Sequence, residues 1–210
     1  MPFFSRSKKA EPKIQGEFGY HGLSDWWLST FKEEERQYIE SKFHPLGAGD
    51  DEKPLTVGHI SFSSGTAANL LSVLAGWFDS THDRHIARRF LEKSDEVGGS
   101  VLDRHFTYSA MVPIYYRDRD TDPDALAAAI DACEKQIALG PEAAEAFEAE
   151  YPTDSTLPSH RGFTQLAIIR EKEHNYADAI RLAQDAMSQG WAGDWEKRIE
   201  RCEKRLATRG

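Results

Sequence analysis

The chain has few means of holding itself together other than a hydrophobic core. Only two of its 210 residues are cysteine, Cys133 and Cys202. They fall on separate expected helices, with neither the spacing of a disulfide framework nor that of a metal site, which excludes a stapled secreted scaffold and fits a reducing compartment. No apolar run approaches the roughly 20 residues that a membrane-spanning helix needs. The opening stretch, with Arg6, Lys8 and Lys9, lacks the apolar centre of a secretory leader. A soluble, cytoplasmic protein is expected, with no membrane association.

Catalytic signatures are missing too. There is no Gly-x-Ser-x-Gly elbow, no cysteine–histidine nucleophile pattern, no dinucleotide fingerprint and no phosphate-binding glycine loop ending in lysine. No cofactor is expected, and nothing in the sequence argues for catalysis. Positive charge is short as well: 26 Lys and Arg stand against 35 Asp and Glu, a formal net charge of -9. The cations gather at the ends, as Arg6, Lys8, Lys9 and Lys13 in one arm and as Lys197, Arg198, Arg201, Lys204, Arg205 and Arg209 in the last expected helix. Nucleic-acid binding across a broad face needs clustered cations to displace phosphate counterions, and that pattern is absent from the middle of the chain. A protein or peptide partner is expected, and the overall charge suggests a basic one.

Helical periodicity accounts for most of what remains. Residues 1–22 carry no periodicity and suggest a flexible basic arm. Thr30-x-x-Glu33 has the form of a capping box ahead of Phe31, Tyr38, Ile39 and Phe43. Residues 45–65 suggest a loop with one short extended segment. Thr66 then caps a helix through Leu70, Leu71, Val73, Leu74, Trp77 and Phe78 that is apolar on more than one face, as a largely buried helix would be. A stripe of Ile86, Phe90, Leu91 and Val97 follows and stops at Gly98-Gly99. Ser100 opens a helix containing Pro113. Asp122-Pro123-Asp124 has the form of a further helix start. The expected division is an arm over 1–22, a helical region over 23–99 and a second helical region over 100–210, the last two folding together.

Residues 160–193 resemble a tetratricopeptide-repeat (TPR) unit, a pair of antiparallel helices with small and large residues at fixed places. The resemblance rests on Phe163, Leu166 and Ala167 in the first helix, Asn175-Tyr176 at the turn, and Ala179 and Ala186 in the second. Arg170, His174, Ala183 and Trp191 depart from the pattern. Tyr108, Met111, Val112 and Tyr115 with Ala129, Cys133 and Ile137 look like a degenerate copy. The helix from Asp194 looks like the solvating cap such arrays need. The expected fold is all-α: antiparallel hairpins forming a TPR-like array in the C-terminal half, with a capping helix, packed on an N-terminal helical half.

What the resemblance implies is a scaffold that binds a protein or peptide on the concave face of its first helices. In this register that face includes Tyr116, Arg161, Thr164, Gln165 and Ile168. It lacks the cationic clamp with which TPR domains grip a terminal carboxylate, so no preference for acidic C-terminal peptides is expected. The face is also apolar enough, with Phe106, Ser109 and Pro113, that the N-terminal half is expected to cover it. Trp191 and Trp195, at the junction of repeat and cap, suit either packing or a partner contact. Two other readings stay open. One is a metal-dependent enzyme using His82, His85 and Asp103, whose histidines stand three apart at a helix start. The other is a structural module that self-associates, as a homodimer for example.

Overall fold

The computed structural model describes residues 14–47, 49, 52–152 and 156–208. Eleven helices and one two-residue-deep pair of short strands make up these residues, an all-α fold. None of the helices is long and apolar enough to cross a membrane. The chain divides into two compact units, one ending at Ser64 and the other beginning at Gly65.

The first unit holds α1 (Gly16–Tyr20), α2 (Ser24–Thr30) and α3 (Glu33–Lys42). Its core is aromatic: Phe18, Trp27 and Phe31 are fully buried, with ring centres 4.8 Å apart for Phe18 and Trp27 and 5.2 Å for Trp27 and Phe31. The expected arm over 1–22 is therefore too long. The free amides of α1 are taken by the loop at 54–58, with Gln15 N–H donating to the Thr56 carbonyl at 2.9 Å and Phe18 N–H to that of Leu55 at 2.9 Å. Only its residues 1–13 lie outside the described residues. Thr30 ends α2 instead of capping α3, and the carboxylate that reaches back is Glu35, which accepts from Lys32 N–H at 3.0 Å.

The second unit is a stack of helical hairpins. α4 (Ala67–Gly76) and α5 (Arg84–Val97) form one, α6 (Val101–Tyr116) and α7 (Ala125–Ala138) the next, and α9 (Arg161–Lys172) with α10 (Tyr176–Ser188) the third. α11 (Trp195–Ala207) packs on α10, and α8 (Gly140–Glu150) is a separate helix lying against α6. First helices meet in order, α4 with α6 and α6 with α9. Each second helix meets the following first helix: α5 with α6, α7 with α9 and α10 with α11. That pattern is consistent with a helical repeat. It brings α4–α5 into the stack as a hairpin of its own, ahead of residue 100.

Small residues allow the close approaches. Ala129, Ala132 and Cys133 of α7 and Gly162 and Ala167 of α9 are buried where the two helices pack. Leu166, Ile169, Leu182 and Ala183 are buried in the third hairpin, while Ile180 packs with Tyr176, Ala179 and Cys202 against α11. Burying side chains of the size of Leu166 or Ile169 contributes about 2 kcal/mol each. Short strands β1 (Leu157–Ser159) and β2 (Trp191–Ala192) pair in parallel and close the loop before α9 onto the end of α10.

Candidate functional site

The stacking order lines up one surface from four helices. Residues a turn apart on α4 (Ser72, Ala75, Gly76), on α6 (Phe106, Ser109, Ala110, Pro113) and at the start of α9 (Arg161) enclose a groove of about 290 Å³. Further along the same stripe of α9, Ile168 and Lys172 face Arg198, Arg201 and Arg205 of α11 across a second groove of about 330 Å³. Tyr116 stands between them, accepting a hydrogen bond from Lys172 Nζ at 2.9 Å. The periodicity of an α-helix makes 161, 164, 165, 168 and 172 one face, as it does 198, 201 and 205.

No helix of the second unit covers this face among the described residues. α4 packs beside α6 and leaves Phe106 with 45% of its surface exposed. Tyr116, Thr164, Gln165 and Ile168 are half-buried and Arg161 is exposed. Thr164 is partly committed, its hydroxyl donating to the His160 carbonyl at 3.1 Å, and the amide nitrogen of Gln165 has no hydrogen-bond partner among the described residues. Among the residues lining the two grooves, Arg117, Arg161, Lys172, Arg198, Arg201 and Arg205 meet only Asp79 and Glu171 in opposition. The surface is thus basic on a chain whose total charge is acidic.

The other residues singled out in the sequence lie elsewhere. Trp191 and Trp195 are buried, at 2% and 4% exposure, and Trp195 Nε1 donates to the Trp191 carbonyl at 2.6 Å. Their rings pack the body and present no surface to a partner. His82 and His85 are exposed, and His85 Nδ1 lies 2.9 Å from the His82 carbonyl oxygen. Asp103 is engaged in capping: one oxygen accepts from the Ser100 N–H at 2.9 Å and the other from the Thr66 hydroxyl at 2.9 Å. Among the described residues no group of three or more His, Cys, Asp or Glu could hold a metal ion.

A buried polar cluster escaped the sequence reading. His105 of α6 and His160, the N-cap of α9, sit with ring centres 5.1 Å apart under Trp191, which stacks on His105 at 5.4 Å with an interplanar angle of 12°. Gln136 of α7 links them, accepting the Gly162 N–H at 2.7 Å and approaching His105 Nε2 at 3.2 Å. Burial pushes His105 down to about 4 and His160, with the His105 charge adding to the effect, down to about 3. Both rings are neutral at physiological pH, and each accepts a hydrogen bond from a neighbouring element, His105 from Gln136 and His160 from the Phe163 N–H. Burial also pushes the Cys133 thiol up to about 12, which leaves it unreactive. Comparison with protein-family models, with curated proteins and with solved structures finds no match to this chain.

Proposed function

We propose that the chain is a binding module that takes an extended segment of a partner protein along the face made by α4, α6, α9 and α11. The supporting observation is the alignment of two accessible grooves on that one face, with the half-exposed ring of Phe106 in one and Ile168 in the other. Large apolar side chains left open in a groove with a polar rim are a common mark of a protein-binding surface. The TPR-like register of α9 and α10 agrees with this reading, because helical repeats offer their first helices to ligands. It is fold analogy and adds to the grooves without replacing them.

The test is a selection of peptides from a random display library on the full chain, followed by variants. Recovered peptides are expected to lose binding on Phe106→Glu or Ile168→Glu and to keep it on Met187→Glu, an exposed position of α10. Recovery of no peptide, or of peptides sensitive only to Met187→Glu, sinks the proposal.

A further inference from the structure

Cations on the remaining described surface of the second unit are largely neutralised where they stand. Arg170 meets Glu173 at 2.9 Å and Asp178 at 3.0 Å, Arg181 meets Asp178 at 2.6 Å and Asp185 at 3.0 Å, and Lys135 meets Asp131 at 3.0 Å. Arg84 and Arg88 share Asp118, and Arg88 also takes Asp122. Such pairing is what a solvated helical surface does with its charge.

The α9–α11 groove is different. Its one carboxylate, Glu171, is gripped by both Arg198 and Arg201, the latter at 2.9 Å. Lys172 and Arg205 have no carboxylate partner among the described residues. They are held by uncharged groups instead: Lys172 Nζ donates to the Tyr116 hydroxyl at 2.9 Å, and the Arg205 guanidinium lies 5.7 Å from the centre of the Tyr176 ring. A neutral hydroxyl or a ring face orients a cation without cancelling its charge. Four cations against one carboxylate therefore converge on a groove of about 330 Å³ with Ile168 in its wall.

Resting on the binding-module reading, we infer that this groove receives an internal acidic stretch of the partner, in which carboxylate side chains flank an apolar one. The apolar residue meets Ile168, and the carboxylates meet Lys172 on one wall and Arg205 on the other. The choice of protein over nucleic acid follows from scale and from surroundings. The three arginines of α11 span about two helical turns, roughly 10 Å, and the net charge of -9 repels a long polyanion. The choice of side chains over a chain terminus follows from Arg198 and Arg201, whose forks already close on Glu171 and leave two separate cations on two different helices. The acidic total charge, which suggested a basic partner, does not describe this face.

The experiment measures fluorescence anisotropy of labelled peptides on the full chain. The probe has an amidated C-terminus and alternates Glu with Leu. Its controls are the Gln version, the Lys version and an oligouridine of equal charge. The Glu peptide is expected to bind at least about tenfold more tightly than the Gln peptide. Binding is expected to weaken as salt rises from about 50 to about 300 mM, and to fall at least about tenfold on Lys172→Glu with Arg205→Glu. Arg181→Glu, on an outer face, is expected to leave it unchanged. Circular dichroism confirms that the variants fold, and Lys172→Gln with Arg205→Gln repeats the test with a milder change. If the Gln peptide binds as well as the Glu peptide, with loss on Phe106→Glu, the acidic-partner inference falls while the binding face survives. Preference for the Lys peptide or for the oligouridine also overturns the inference. If no probe binds and display yields no peptide, both readings fall.

Discussion

Gln136 and His105 are joined by a hydrogen bond whose direction is fixed. Gln136 Oε1 accepts from the Gly162 N–H at 2.7 Å, so its amide nitrogen is the group turned to His105, 3.2 Å from Nε2 and 3.3 Å from the backbone oxygen. An amide nitrogen only donates, so Nε2 accepts and the ring proton sits on Nδ1. In the same way the Phe163 N–H donates to His160 Nδ1 at 3.3 Å, which puts the proton of that ring on Nε2. Both protonated nitrogens are buried without a hydrogen-bond partner among the described residues. A second proton on either ring would have to displace one of the donors from α7 or α9.

The cluster makes stability depend on pH with a definite sign. Each ring has a folded value depressed from 6.5, to about 4 for His105 and about 3 for His160, so the unfolded chain binds more protons between those values and 6.5. Stability from this source is complete above 6.5 and falls as the pH drops below it. One unit below the unfolded value the two rings together cost about 3 kcal/mol. Urea unfolding at pH 7.5 and 5.5 measures this, and His105→Gln with His160→Asn, which keep an acceptor in place, is expected to remove most of the difference. An unchanged slope in that double variant would show that other groups carry it.

At Gly162, α9 comes close to α7. A Cβ there would lie 2.8 Å from the Cys133 carbonyl oxygen and 2.9 Å from Gln136 Oε1, with backbone on one side and the fixed amide on the other. Gly162→Ala is expected to destabilise the second unit by about 1–3 kcal/mol, read as a drop in the urea midpoint. A neutral result would mean that the helices separate at little cost.

Asp103 ties two helix starts together, capping α6 and holding the Thr66 hydroxyl that itself accepts the Asn69 N–H of α4 at 3.0 Å. Asp103→Ala is expected to cost about 1–2 kcal/mol. With its oxygens so engaged and no third ligand beside His82 and His85 among the described residues, added zinc is expected to leave the melting temperature of the unsubstituted chain where it was. A zinc-dependent rise in melting temperature, lost on His85→Ala, would restore a metal site there.

Glu171 works as a built-in carboxylate in the α9–α11 groove. Removing its charge with Glu171→Gln frees Arg198 and Arg201 for a ligand, and the Glu peptide is expected to bind roughly threefold to tenfold more tightly. Weaker binding in that variant would mean that Glu171 serves chiefly to hold the arginines in position.

The hairpin of α9 and α10 was legible because its signal is local: Phe163, Leu166, Ala167, Ala179 and Ala186 recur at helical spacing, and all are buried. Even the missing turn glycine left a trace, since His174 takes a φ of 61°, the left-handed conformation that glycine adopts freely. The first-helix face could be read for α6 and α9 from the same register. The parts contributed by α4 and α11 could not. Leu70, Leu71, Val73 and Leu74 make α4 apolar all round, which hides the stripe that faces the groove, and α11 reads as an ordinary amphipathic cap. The histidine cluster was illegible for a different reason. His105, Gln136 and His160 come from three elements, and only tertiary packing removes them from water. The strand at Leu157–Ser159 is too short for any alternation to register.

The central claim is that partners dock on the face of α4, α6, α9 and α11, and amide chemical-shift mapping of the full chain titrated with the Glu peptide tests it most directly. Shifts are expected to concentrate at Ile168, Lys172, Arg201 and Arg205 and to run through Tyr116 toward Phe106, with α5 and the exposed side of α10 around Arg181 and Met187 unmoved. Saturable shifts centred on α5 or α10, with the first-helix face silent, would contradict the account.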